Sequence, residues 1–111
     1  MNRPPTAMPD VPTAPAFRGA LADVLPSVAA GFGVPACRDT LGLGAADRVV
    51  VLLVDGLGQR LLESHAALAP TLAALAADAV PLRTTFPSTT ATALASFGTG
   101  LPPGAHGLVG T

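Results

Sequence analysis

The sequence predicts an α/β protein, the front part of a doubly wound, mostly parallel sheet flanked by helices. Three observations carry that expectation. Residues 49–54, VVVLLV, form a continuous apolar run, the pattern of a strand buried on both faces. Segments with helical spacing follow it. A second short, partly β-branched stretch at 80–85 comes next, so strand, helices and strand alternate in the order of a right-handed βαβ crossover.

The elements are expected as follows. Residues 1–16 read as a flexible tail, with five prolines among the first fifteen positions and no apolar core of a signal peptide. Residues 17–47 read as an N-terminal helical appendage and connector, with one or two short helices broken at Pro26 and stopped by Gly31 and Gly33. From Arg48 to Val54 the chain forms the first strand, ending in the turn DGLG. Leu57, Leu61, Leu62, His65 and Leu68 then fall at helical spacing. Pro70 suits the first position of a second helix, in which Leu72, Leu75, Ala76 and Ala79 form a stripe. Val80 to Thr85 is the second strand, closed by Phe86 and Pro87. A helix over 91–97 follows, with Gly98 as its stop, and the glycine-rich remainder reads as a loop. Two strands do not make a stable doubly wound sheet, so 48–111 is expected to be the N-terminal part of a larger, here incomplete, domain.

Composition excludes several function classes. The chain has 111 residues, 50% of them hydrophobic, with a mean hydropathy of +0.54, enough apolar material for a core. A formal net charge of −1 provides no nucleic-acid-binding surface and no attraction to an anionic membrane. All six basic residues are arginines, so the phosphate-gripping lysine of a P-loop is missing. The longest apolar run is far short of the about 20 residues that cross a bilayer. With no membrane span, no signal peptide and the single Cys37, which cannot form an internal disulfide, a cytoplasmic location is expected.

The chemistry gathers at two turns. Asp55 sits at the carboxyl end of the first strand, where ligands bind in open α/β sheets. Thr90, 35 positions later, opens the helix that follows the second strand. There its hydroxyl lies beside the unpaired backbone N–H groups of Ala91 and Thr92, which with the helix dipole favour an anion such as a phosphate oxygen. A hydroxyl becomes a useful nucleophile when a base or metal lowers its pKa, and a strand-end carboxylate is a hard ligand for such a metal. Asp55 and Thr90 are therefore expected to share one ion. Ser88 and Thr89 offer capping oxygens, and taken alone the same turn also reads as an ordinary helix N-cap. His65, on or near an apolar helix face, and His106 are not assigned to metal, and Arg83 reads as a solvated side chain.

VVLLVDGLG followed by TTFPSTTATALASFGTGLPPGAHGLVG resembles the nucleotide pyrophosphatase and phosphodiesterase branch of the alkaline phosphatase superfamily. In that branch an apolar strand ends in a metal-binding Asp-Gly, an F-P-S-x-T turn carries the threonine nucleophile, and a T-G-x-x-P-x-x-H-G segment follows. Phe86, Pro87, Ser88 and Thr90 match the turn, and Thr99, Gly100, Pro103, His106 and Gly107 broadly match the later segment. The resemblance implies an alkaline phosphatase-like fold, with Thr90 as nucleophile and Asp55 and Thr90 as ligands of a divalent metal, two zinc ions in the full-length protein. It also implies a small phosphoric ester or nucleotide as substrate and a phosphothreonine intermediate. Many members carry an asparagine three residues after the nucleophile that helps to hold phosphate, and Ala93 stands there instead. The remaining metal ligands of the family lie later in the chain than Thr111, so the 111 residues alone are expected to be inactive.

Other readings have less behind them. A phosphomonoesterase of the same superfamily, or a catalytically inactive remnant or binding module of the same fold, uses the same residues. The sulfatase turn C-x-P-x-R is missing, because Arg38, Asp39 and Thr40 follow Cys37. A dinucleotide site needs a third glycine where Leu61 stands. The hydrolase elbow G-x-S-x-G does not occur.

Overall fold

The computed structural model describes residues 17–110; the expected tail, residues 1–16, lies outside the described residues. Strand β1 (Gly19–Ala20) leads through a 3-10 turn at Leu21–Asp23 into helix α1 (Val24–Gly31). A long connection follows, then α2 (Gln59–Ser64), a 3-10 turn at Ala66–Leu68, α3 (Pro70–Ala76), β2 (Leu82–Arg83), α4 (Thr90–Thr99) and α5 (Pro103–His106). β1 and β2 pair in parallel, with Gly19 opposite Leu82 and Ala20 opposite Arg83. The Arg18 N–H extends the pairing to the Pro81 carbonyl at 3.2 Å.

This architecture is α/β, and it corrects several details of the sequence reading. Among the described residues the sheet has two strands, and 17–47, expected as a helical appendage, supplies one of them. Residues 48–54 make no strand ladder. Side-chain exposure nonetheless alternates from Val49 to Leu53, with Val50 and Leu52 94% and 81% exposed and Val49, Val51 and Leu53 40 to 42% exposed. That alternation is the period of a β-strand. Strand assignment requires hydrogen-bonded neighbours, and no described strand flanks this segment, so an apolar run suited to the middle of a sheet stands extended and exposed.

Pro26 does not break α1. It occupies the third helical position, in the first turn, where its missing N–H has no intrahelical acceptor to lose. Pro70 opens α3 as expected. Gly98 lies inside α4, and the helix stops at Gly100, whose φ of 68° is left-handed. The segment expected as loop contains α5, begun by Pro103 at its first turn.

No hydrophobic side chain among the described residues is buried. The enclosed groups are the small hydroxyl residues Ser27, Thr92 and Ser96, at 0, 1 and 2% exposure. They lie where α1 and α4 pack together with the Leu21–Asp23 turn. Small side chains let backbones approach closely, and Gly100 shows how closely. A Cβ on Gly100 would stand 2.7 Å from Pro26 Cγ. α1 also holds the following connection, since Ser27 Oγ accepts the Leu41 N–H at 3.4 Å. Asp39 in turn accepts the Leu43 and Gly44 N–H groups at 2.9 and 2.7 Å.

Two expectations follow. Gly100→Ala combines a left-handed backbone with a steric clash at Pro26, and is expected to destabilise the α1–α4 packing by about 1–3 kcal/mol, read as a lower midpoint in thermal loss of far-UV ellipticity. The Gly44 and then the Leu43 N–H groups hold the Asp39 carboxyl below the usual carboxylate range. A depressed folded pKa contributes stability above the unfolded value of about 3.9, lost as pH falls through the folded value. The Gly44 amide resonance is therefore expected to titrate below the ordinary carboxylate range, and Asp39→Asn to abolish that titration.

Candidate active site

The site starts at the end of the extended run. Asp55 leads into Gly56, whose φ of 70° turns the chain sharply toward α2 with no Cβ in the way. On the other side, the Phe86–Pro87 peptide is cis, and the turn it belongs to delivers the chain to α4 at Thr89 and Thr90. The Thr90 hydroxyl donates to Asp55 Oδ1 at 3.4 Å. Two groups 35 residues apart thus meet, both exposed, on one rim. Three of the four expected site residues hence lie at one helix terminus, with the fourth against it.

The N-terminus of α4 differs in one detail from the expected cap. Thr89, the N-cap residue, gives no side-chain cap. Its hydroxyl instead donates to Thr92 Oγ1 at 3.0 Å, and its carbonyl accepts the Ala93 N–H at 2.9 Å. The reason is burial: Thr92 Oγ1 is enclosed and needs a partner, and Thr89 supplies it. The N–H groups of Ala91 and Thr92, early in the helix, consequently have no capping side chain. Ala91 is exposed, while the Thr92 side chain is buried and only its backbone is relevant to a ligand.

Beside this rim opens a cleft of about 810 Å³. Asp55, Thr84, Ser88 and Thr90 are its polar groups near α4, and Leu53, Val54, Leu82 and Leu94 belong to its apolar wall. The volume lies within the range of about 300–1,000 Å³ of small-molecule sites. Gln59 and Glu63 face the same cleft, with Gln59 Nε2 donating to Glu63 Oε1 at 2.8 Å. Sequence reading passed over this pair. Its signal was the four-residue spacing on the first helix after the Asp-Gly turn.

Two oxygens bound to one tetrahedral zinc at about 2.0–2.2 Å stand about 3.3–3.6 Å apart. The Thr90–Asp55 separation of 3.4 Å is that spacing, and it is long for a hydroxyl–carboxylate hydrogen bond. The donor set, hard oxygens, also suits a divalent cation. Among the described residues no group of three or more His, Cys, Asp or Glu side chains converges to complete such a site. His65 stays apart: its Nδ1 lies 3.2 Å from the Leu61 carbonyl at the end of α2. His106 is committed to Ser96 and Leu108.

The geometry therefore defines an α/β protein with an acid and a hydroxyl paired over an uncapped helix N-terminus. Residues 49–111 match the family described as type I phosphodiesterase / nucleotide pyrophosphatase, and the chain belongs to that family. The match spans the apolar run, Asp55, Thr90 and α5. Comparison with curated proteins and with solved structures found no significant match. Among the described residues no helix is long and apolar enough to cross a membrane.

An oxyanion seated on α4 would perturb the amides that lack a cap. Titration with inorganic phosphate is expected to shift the Ala91 and Thr92 amide resonances more than those of α1. Thr89→Asp, which caps the same N–H groups with a carboxylate, is expected to suppress those shifts.

Proposed function

We propose that the chain is the N-terminal part of a metal-dependent phosphodiesterase or nucleotide pyrophosphatase that works through a phosphothreonine at Thr90. The observation that carries this reading is the meeting of the Thr90 hydroxyl with Asp55 at the uncapped start of α4. Membership of the family supports it independently.

The residues divide the work. Asp55 Oδ1 draws the hydroxyl proton toward itself, which leaves an Oγ1 lone pair free to face phosphorus. Oγ1 then forms the new P–O bond as the bond to one ester oxygen breaks, the leaving alkoxide or nucleotide takes up the proton drawn to Asp55, and water cleaves the phosphodiester left on Thr90 to free the hydroxyl and a phosphomonoester. The N–H groups of Ala91 and Thr92 donate to the non-bridging oxygens, and the α4 dipole favours their negative charge. Asp55 and Thr90 are the residues here that would hold metal, and two zinc ions, when bound, lower the pKa of the hydroxyl and offset the charge on phosphate. Ala93 offers no side-chain donor to phosphate, which puts more of the binding on the backbone. The cleft beside Thr90 accommodates the esterified group, a small phosphoric ester or nucleotide.

The exposed apolar run at 49–54 supports the view that the catalytic domain extends beyond these residues, because such a segment belongs in the middle of a sheet. The 111-residue chain alone is accordingly expected to be inactive toward an aryl phosphodiester in zinc.

The test uses the protein at the length its gene encodes, loaded with zinc and given an aryl phosphodiester. Acid quenching followed by peptide mass spectrometry should find on Thr90 a phosphoryl group that still carries the second ester of the substrate. Thr90→Ala should lower turnover by at least about 10³-fold, and Asp55→Asn should weaken zinc binding by about 10–100-fold. Full activity in Thr90→Ala would refute the nucleophile assignment.

A further inference from the structure

After α4 the chain turns back on itself. Gly100 reverses its direction, Thr99 Oγ1 accepts the Leu101 N–H at 3.2 Å, and α5 packs against α4. His106, the last residue of α5, then makes two hydrogen bonds with one ring. The Leu108 N–H donates to Nδ1 at 3.1 Å. A backbone N–H can only donate, so Nδ1 carries a lone pair, and the proton of the neutral ring sits on Nε2. Nε2–H in turn donates to Ser96 Oγ at 2.8 Å, and Ser96 is only 2% exposed. One imidazole thus ties the middle of α4 to the segment beyond α5. No charged residue occurs in α4, α5 or 107–110, so its partners are all neutral.

The lengths match. Ser96 to Thr89 along α4 is seven residues, about 10–11 Å of helix, and the four residues from His106 to Gly110, with Gly107 left-handed, can reach up to about 13 Å. A chain pinned at Ser96 and running back beside α4 therefore arrives at the start of the helix. It does so at Gly110, where a Cβ would stand 3.1 Å from Pro87 Cδ, Pro87 O and Thr89 Oγ1. The backbone of Gly110 lies directly behind the turn that presents Thr90.

We infer that His106 is a positioning residue: by holding Leu108 and anchoring to Ser96, it presses 107–110 against the Pro87–Thr89 turn and sets the orientation of the Thr90 hydroxyl. The assignment to catalysis rests on Thr90 acting as the nucleophile; the mechanical coupling does not. A histidine that merely fills the α4–α5 contact would stabilise that contact and leave the turn alone.

The two ring nitrogens can be separated by substitution. His106→Gln places an amide near Nε2 and keeps the reach to Ser96, but offers Leu108 no acceptor. His106→Asn places a carbonyl near Nδ1 and keeps the Leu108 bond, but loses Ser96. Gly110→Ala leaves both bonds and inserts a methyl group behind the turn.

Nitrogen-15 NMR on the zinc-loaded protein, at the length its gene encodes, reads the result. The wild-type ring should show a protonated Nε2 and an unprotonated Nδ1. In His106→Gln the Leu108 amide should exchange about tenfold faster and the Thr89, Thr90 and Ala91 amides should shift. His106→Asn should restore both toward wild type, and Gly110→Ala should shift the three turn amides while Leu108 stays protected. For an aryl phosphodiester, kcat should fall about tenfold in His106→Gln with KM unchanged, and recover in His106→Asn. A ring protonated on Nδ1, or a freed Leu108 with turn amides that do not move, overturns the inference. Shifted turn amides in a protein that forms no phosphothreonine would confirm the coupling and refute the nucleophile reading.

Discussion

Close packing around α4 is the constraint on which the rest of the structure depends. With no buried hydrophobic side chain among the described residues, the helix is located by small groups that allow backbones to approach: Ser27, Thr92, Ser96, and Gly100 against Pro26. Each enclosed hydroxyl needs a hydrogen-bond partner, and each has one. Ser27 takes the Leu41 N–H, Thr92 takes the Thr89 hydroxyl, and Ser96 takes the His106 ring. Polar satisfaction therefore does here what shape-fitting of large apolar side chains does in a larger core.

The same pairing explains the site. Because Thr89 serves the buried Thr92 hydroxyl, it does not cap the helix, and the first amides of α4 face outward beside Thr90. A structural demand inside the packing thus leaves donors available at the surface. Asp55 stands at the end of the 49–54 run, just before the Gly56 turn, and meets the Thr90 hydroxyl at 3.4 Å. The cleft beside them is lined by the apolar Leu53, Val54, Leu82 and Leu94 together with the polar Gln59, Glu63, Thr84 and Ser88.

Much of this was legible in the residues. The positions of Asp55 and Thr90 were readable because an apolar run ending in Asp-Gly and a hydroxyl-rich turn opening a helix are local patterns, set by backbone geometry within a few residues. Pro70 and α4 were legible for the same reason. Pro26 was misread because proline disrupts a helix only beyond its first turn, and where a helix begins depends on what precedes it, here the Asp23 turn whose carboxylate takes the Ala20 N–H at 2.8 Å. The helix stop moved from Gly98 to Gly100 because the contact with Pro26, not local propensity, selects which glycine turns. The pairing of β1 with β2 had no local signal, since two-residue strands leave no periodicity to read.

By itself the sequence determined the chemistry available: a carboxylate, a hydroxyl at a helix start, an apolar run and the family to which 49–111 belongs. Those properties reside in residue types and short spacings, which persist whatever the chain does elsewhere. Only the tertiary structure decided that Asp55 and Thr90 meet, that Thr89 turns inward to Thr92, and that His106 reaches Ser96 while Gly110 backs the turn. The physical reason is that each of these contacts depends on where separate backbone segments cross, and crossing points are fixed by packing and by the need to pair every buried polar group.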